Sequence, residues 1–393
     1  MRMVPVPAGR PRSEAAGPAC TAAAAPPSPL PLVPEAPAGE WVGEIGSLAG
    51  HALRWALAVA LARVGLLRAY RAWRRRRHPE GELRVLRYHR VIPDSERERV
   101  YRLGVSRRSF RAQVSHLARR HQVVDLAGAE AFIAGRETGP GMRVLVTLDD
   151  GYRDNLTEAL PELERARVPA VLFVTTGPVG RGVRFPWERL KRVVDDPDRS
   201  ALPLPGGDGI SLGPRGRRRG IAFRRLHRWL GALERAEREA ILVLWESRSS
   251  PDPRNDGPLS WPEVRRLAAS GVAIGSHTVE HPRLSRLEDA VLAWELRESR
   301  RRIEEEVGAP VRSLAYPSGD HDARVVTGAG AAGYQIAFTT VAGSNLPGCA
   351  ALALRRKGTG ERSAETPWGT FSASLFEAEV CGLFDHVVRG VYP

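Results

Sequence analysis

The chain has 393 residues, enough for one large domain or two modest ones with a sizeable buried core. Its formal charge is +14, yet Lys191 and Lys357 are its only lysines. An arginine excess this lopsided, with no nucleic-acid motif beside it, argues against a specific nucleic-acid binder and leaves affinity for anionic polymers or lipid surfaces open.

Residues 1–46 are crowded with proline and alanine, as in Ala22 to Pro37, and hold too little apolar mass to fold, so they read as a disordered extension. Arg10 and Arg12 are followed by Pro18, Pro26 and Pro27 in place of a continuous apolar region, so no signal peptide is evident. Residues 47–78 lack proline and are rich in Ala, Leu and Arg, which predicts a basic helix. Its longest uncharged run, Trp55 to Ala62, is too short to span a bilayer. The cluster Arg74 to Arg77 suits either a helix packed on the domain or peripheral contact of residues 47–77 with an anionic membrane. Together these features place the chain in the cytoplasm or at a membrane surface, with a role in the cell envelope compatible with both. Cys20, Cys349 and Cys381 show neither metal spacing nor an even-numbered disulfide framework.

From residue 82 to 393 strand and helix patterns alternate. Strands are predicted at Arg84 to His89, Val144 to Leu148, Ala170 to Thr175, Val272 to Ser276, Val311 to Tyr316 and Ile336 to Thr340. A helix at Ser109 to His121 carries Phe110, Val114 and Leu117 on one face, and Ser260 with Glu263 and Ser285 with Glu288 have the spacing of capping boxes. Alternation of this kind implies an α/β fold with a mainly parallel sheet. Residues 181–258 are more than one crossover helix requires. They read as an inserted helical subdomain, with a linker at Pro205 to Gly220, helix at Ile221 to Ser247, and Trp187 to Leu190 placed to wall a groove.

Two strand ends carry chemistry. Val144 to Leu148 runs into Asp149, Asp150 and Gly151; adjacent carboxylates on a strand point to opposite sides unless the backbone twists as it leaves the sheet, which Gly151 permits. One carboxylate is then free to bind a cation and the other to handle protons. The second strand ends at Ser276, and His277 and His281 follow at a spacing that stacks two imidazoles within reach of one ion, with Pro282 limiting the helical geometry to a single turn. One Asp and two His leave open coordination positions, as a catalytic metal needs.

Thr147-Leu148-Asp149-Asp150-Gly151-Tyr152 with Asp154-Asn155, and Ser276-His277-Thr278 with His281-Pro282, resemble the first two motifs of the polysaccharide deacetylases, carbohydrate esterase family 4 with its NodB homology domain. The resemblance implies a distorted TIM-like (β/α)7 barrel with its site at the carboxyl ends of the strands. It also implies removal of N-acetyl groups from an N-acetylglucosamine-containing polysaccharide or glycan precursor, a divalent ion (Zn2+, with Co2+ or Ni2+ as alternatives) on Asp150, His277 and His281, and Asp149 as base. Tyr316-Pro317-Ser318-Gly319 resembles the third motif, in which the backbone N–H of Ser318 serves the oxyanion and Tyr316 and Pro317, with Tyr152, line the substrate. Ser318 replaces an aromatic residue, and Ala315 stands where many members carry an arginine that orients the base. The late Leu-x-His motif is missing, since Leu352 to Arg356 reads LALRR. Leu86-Arg87-Tyr88-His89 instead resembles the poly-β-1,6-N-acetylglucosamine deacetylases, which makes His89 the candidate general acid. These departures keep two other readings open: a non-catalytic glycan-binding module of the same fold, and an amidohydrolase or O-deacetylase acting on another substrate.

Overall fold

The computed structural model describes residues 40–99, 104–204, 207–212, 217–231, 233, 235–247 and 257–385, with backbone alone at 40–48, 97–99, 207–208, 217–218 and 235. Most of the extension expected over residues 1–46 therefore lies outside the described residues. Helix already begins at Glu40, and the single helix expected over residues 47–78 is two, α1 (Glu40–Arg63) and α2 (Leu66–Arg77). The break is at Gly65, whose φ of 79° is left-handed; glycine reaches it without the penalty a Cβ imposes. No helix among the described residues is long and apolar enough to cross a membrane.

The barrel follows. β1 (Glu82–Tyr88) leads through a small side sheet of β2 (Arg90–Ile92) and β3 (Gly104–Ser106) to α3 (Arg107–Arg120), whose cap is Ser106 and whose buried face includes Phe110, Val114 and Leu117, as expected. Next come β4 (Gln122–Val123), α4 (Leu126–Ile133), β5 (Met142–Leu148), α5 (Leu160–Ala166) and β6 (Ala170–Val174). The insertion is then built from α6 (Pro186–Asp195), an antiparallel hairpin of β7 (Ala201–Leu204) and β8 (Gly207–Ser211), α7 (Arg217–Leu230) and α8 (Arg235–Glu246). It has its own apolar core around Leu190, Leu226, Leu242 and Trp245. Part of the stretch read as a linker is thus strand: Gly- and Pro-rich hairpins lack the apolar alternation that betrays a strand.

The chain returns through α9 (Trp261–Ala269), β9 (Ala273–Ser276), α10 (Asp289–Val307), β10 (Ser313–Ala315), α11 (Ala323–Ala331), β11 (Ile336–Phe338), β12 (Lys357–Gly358) and α12 (Ala373–Val380). The Ser260–Glu263 capping box forms, with the Ser260 N–H donating to Glu263 at 2.7 Å. Ser285 does not cap α10; its N–H and hydroxyl bind Asp320 instead, and Glu288 takes the cap position.

The wall is parallel throughout, in the order β11-β10-β9-β6-β5-β1-β12, with β4 beside the start of β5. Its last segment is shared. Leu354 bridges to Phe338 of β11, while Lys357 and Gly358 pair with Leu86 and Arg87 of β1, so the sheet curls back on itself through five residues. Strand parity sorts the core: Val144, Val146 and Leu148 pack outward against helices, whereas Leu83, Val85, Leu145, Val171, Phe173, Phe338 and Leu354 fill the interior. Below the barrel, Ala58 of α1 and Leu67 of α2 pack with Leu375, Ala378 and Phe384. Arg74 bonds Glu82, Ser344 and the Cys381 carbonyl.

Candidate active site

By parity Asp149 continues the inward series Leu145, Thr147 and sits over the barrel interior, 1 % exposed. Asp150 would face outward. The twist anticipated at Gly151 starts one residue earlier, with φ 77° at Asp150 and 86° at Gly151, and it turns the second carboxylate back toward the mouth. Thr278, His281 and Ser318 also have positive φ, so four of the five non-glycine residues in this state among the described residues belong to the candidate site. Strain of about 1–3 kcal/mol per residue is held there by surrounding bonds.

Those bonds can be followed. The buried Glu295 of α10 accepts from the N–H groups of Val279 and Glu280, at 2.7 and 3.1 Å, and so holds the loop between the two histidines. The His281 N–H donates to the Thr278 hydroxyl. His277 donates its Nδ1–H to the Ala315 carbonyl at 2.7 Å, which fixes the tautomer and leaves Nε2 with a lone pair aimed at Asp150. His277 Nε2 is 3.4 Å and His281 Nε2 3.6 Å from Asp150 Oδ1. That oxygen is buried and has no hydrogen-bond partner. Two imidazole lone pairs converging on an orphaned carboxylate oxygen fit a divalent cation, and the three donors lie within 4.8 Å of one another.

Asp149 is held apart from this group by a residue the sequence reading passed over. Arg356 spans both its carboxylate oxygens, at 2.7 and 2.9 Å, and is itself fixed by the Thr339 carbonyl and the Thr147 hydroxyl, over the paired rings of Phe173 and Phe338. It lies in the closing segment, 1 % exposed. The arginine missing at Ala315 of β10 is therefore replaced by one from the closing segment, beyond β11 on the same wall, which corrects the expected loss. Burial would raise the Asp149 carboxyl; Arg356, with His277 and His89, instead holds it below the usual carboxylate range. Burial likewise opposes the neighbouring imidazoles at Asp150, and the imidazoles prevail.

His89 stands at the same mouth, its Nε2 4.0 Å from Asp149 Oδ2 and its carbonyl pinned by the Asn155 amide at 2.8 Å. Burial lowers its pKa to about 4 against the pull of Asp150 and Asp149. Ser318 is exposed at φ 55°, and its N–H makes no hydrogen bond among the described residues. Tyr316, Pro317 and Tyr152 are buried beneath the site. The Tyr316 hydroxyl is tied to the Leu352 carbonyl, and Tyr152 accepts from Trp187 Nε1, so the substrate contact expected of them has no exposed ring to act through. Trp187, from the insertion, stacks on Phe185 and packs on His281 at 4.8 Å between ring centres.

A curled parallel sheet with Asp, Asp, His and His at its strand ends defines the distorted (β/α)7 barrel of the NodB homology type. The chain belongs to the polysaccharide deacetylase family: residues 136–200 and 229–337 match the profile of that description, and the gap between them spans the hairpin and most of α7. Enzymes of this family are hydrolases that use a divalent metal. IcaB from Ammonifex degensii shares the fold at TM-score 0.50 and 22% identity, over 76% of this chain and 97% of that one. The Streptococcus pyogenes deacetylase PplD, in complex with acetate, aligns at TM-score 0.49 and 16% identity, over 73% and 96%. No curated protein matches the chain.

Proposed function

We propose that the chain removes N-acetyl groups from an N-acetylglucosamine-containing polysaccharide or glycan precursor, with zinc as its ion. One observation carries this reading: Asp149 is clamped as a carboxylate by Arg356 immediately beside a separate Asp150–His277–His281 group. A module that only bound glycan would have no use for a second, unliganded carboxylate held in register.

Bound by Asp150, His277 and His281, the ion would polarise the amide carbonyl and lower the pKa of a water. Asp149 takes the proton of the attacking water, and Arg356 keeps the carboxylate oriented and ionised. The Ser318 N–H donates to the tetrahedral oxyanion. His89, beside Asp149 at the mouth, passes to the departing amine the proton that Asp149 has collected. Acetate and a free amino sugar leave.

Acetate release from β-1,4- and β-1,6-linked N-acetylglucosamine oligomers tests the reading, with protein stripped of metal and reloaded with zinc or cobalt. Release should depend on metal, favour the β-1,6 series, and vanish in Asp149→Asn while the metal stays bound. Release from neither series by metal-loaded protein would overturn the proposed substrate.

The proposal extends to location. Leu53, Leu57 and Val64 of the first helix and its end, and Leu66 and Trp73 of the second, are 45–69% exposed, and Arg63, Arg68 and Arg75 to Arg77 are exposed with them. Apolar side chains plus a basic cluster are the two signals that together hold a helix on an anionic lipid surface.

A further inference from the structure

A second group of imidazole and carboxylate donors converges far from the barrel mouth. His116 lies in the final turns of α3, His121 directly follows that helix, and Glu377 is on α12. His116 Nε2 and His121 Nε2 approach the same oxygen, Glu377 Oε2, at 2.8 and 3.1 Å, and the three donor atoms lie within 4.8 Å of one another. Gln122, next to His121, pairs with Arg143 at the start of β5, whereas Asp149 follows the end of that strand. At ~3.3 Å per residue the two groups are about 20 Å apart, on opposite rims of the sheet.

The cluster is prearranged. His116 and Glu377 are each 7% exposed. His116 sits edge-on to Phe376 and against Phe371, with ring centres 5.6 and 5.9 Å away, so its rotamer is set by packing. Arg71 of α2 takes the other carboxylate oxygen, Oε1, at 2.8 Å, which leaves Oε2 to the imidazoles; the Arg71 side chain is 41% exposed, and its charge is screened by water.

We propose that His116, His121 and Glu377 form a second metal site, independent of the catalytic one, for a borderline divalent ion such as Zn2+ that ties α12 to α3. Two neutral imidazoles and one carboxylate are a donor set such ions favour. Metal–ligand bonds of about 2.0–2.1 Å at tetrahedral angles separate neighbouring donors by roughly 3.3 Å, so the two nitrogen–oxygen spacings need open by only a few tenths of an ångström. Without an ion, both Nε2–H groups donate to a single oxygen; with one, both lone pairs and the carboxylate are used at once. α12 also packs on α1 and α2, so the ion would fasten the amino-terminal helices and the carboxy-terminal helix to the barrel together.

Metal counting on full-length protein, stripped and then reloaded with Zn2+, tests this. Wild type should hold two equivalents, His281→Ala one, His121→Ala one with acetate release retained, and the double variant none. Equal metal content in wild type and His121→Ala, or none in His281→Ala, would overturn the second site. If His121→Ala does not fold, Co2+ added to His277→Ala/His281→Ala gives the answer: visible d–d absorption of four-coordinate cobalt supports the site and its absence refutes it. A chain inactive on every sugar yet binding two ions would fail the proposed substrate and leave this site standing.

Discussion

On the proposed mechanism, Arg356 tunes Asp149 as the base. Its removal leaves a buried carboxylate with no bidentate partner, and burial then raises the Asp149 pKa that Arg356 had held down. A base must be deprotonated, so the acid limb of kcat/KM against pH should move to higher pH in Arg356→Gln, with kcat at neutral pH down by about 10²-fold, a loss typical of a misplaced reacting group. Arg356→Lys should recover part of both. An unmoved acid limb would show that Arg356 only packs. Asp149, Asp150, His277 and His281 were legible in the sequence because their signal is local: a strand end followed by ligands within a few residues. Arg356 was not, because its partner lies 207 residues away. The LALRR stretch holds no histidine, and the hint it does carry, an arginine two residues beyond the interior-facing Leu354, gains meaning only once the barrel closes.

At the scale of elements, the insertion reaches His281 through Trp187. Trp187→Ala removes the ring beside His281 and the donor to the Tyr152 hydroxyl while leaving Asp149 and its clamp untouched. KM for an oligomeric substrate should therefore rise several-fold, with a smaller fall in kcat; an unchanged KM with a collapsed kcat would place Trp187 in the support of His281 and not in the groove. The helices and the parallel wall could be read from periodicity and caps, and the family profile and the sheet agree with that reading. The break at Gly65 and the β7–β8 hairpin could not. A glycine inside a run of helix formers does not announce a left-handed φ, and a short hairpin with glycines and prolines has the composition of a loop.

At the scale of the molecule, the amino- and carboxy-terminal segments are joined beneath the barrel by buried charge. Arg84, with its side chain fully buried, is held by both oxygens of Asp385 at 2.5 and 2.6 Å. Burial would raise the Asp385 carboxyl, and the guanidinium brings it below its ordinary value. A depressed carboxyl contributes stability that is present above the unfolded pKa of about 3.9 and is lost as pH falls through the lower folded value. Asp385→Asn, which strands the Arg84 charge, should cost about 3–5 kcal/mol near pH 7 in denaturant unfolding, and the difference should shrink below pH 4. The outer face of α1 and α2 makes its own prediction. Co-sedimentation with vesicles rich in phosphatidylglycerol should exceed that with neutral vesicles, fall with salt, and weaken in Arg75→Ser/Arg76→Ser/Arg77→Ser; equal partitioning to both lipids would remove the charge from the argument. The basic helix was visible as composition, whereas its docking through Arg74 was not. The shared closing segment has one more effect, on timing. As the chain leaves the ribosome, Asp150, His277 and His281 emerge well before Arg356, so a nascent barrel would hold the proposed metal-binding residues before the clamp on Asp149 forms. On the proposed mechanism, full turnover would wait on the closing segment to dock, and chains ending short of Arg356 would hydrolyse far more slowly.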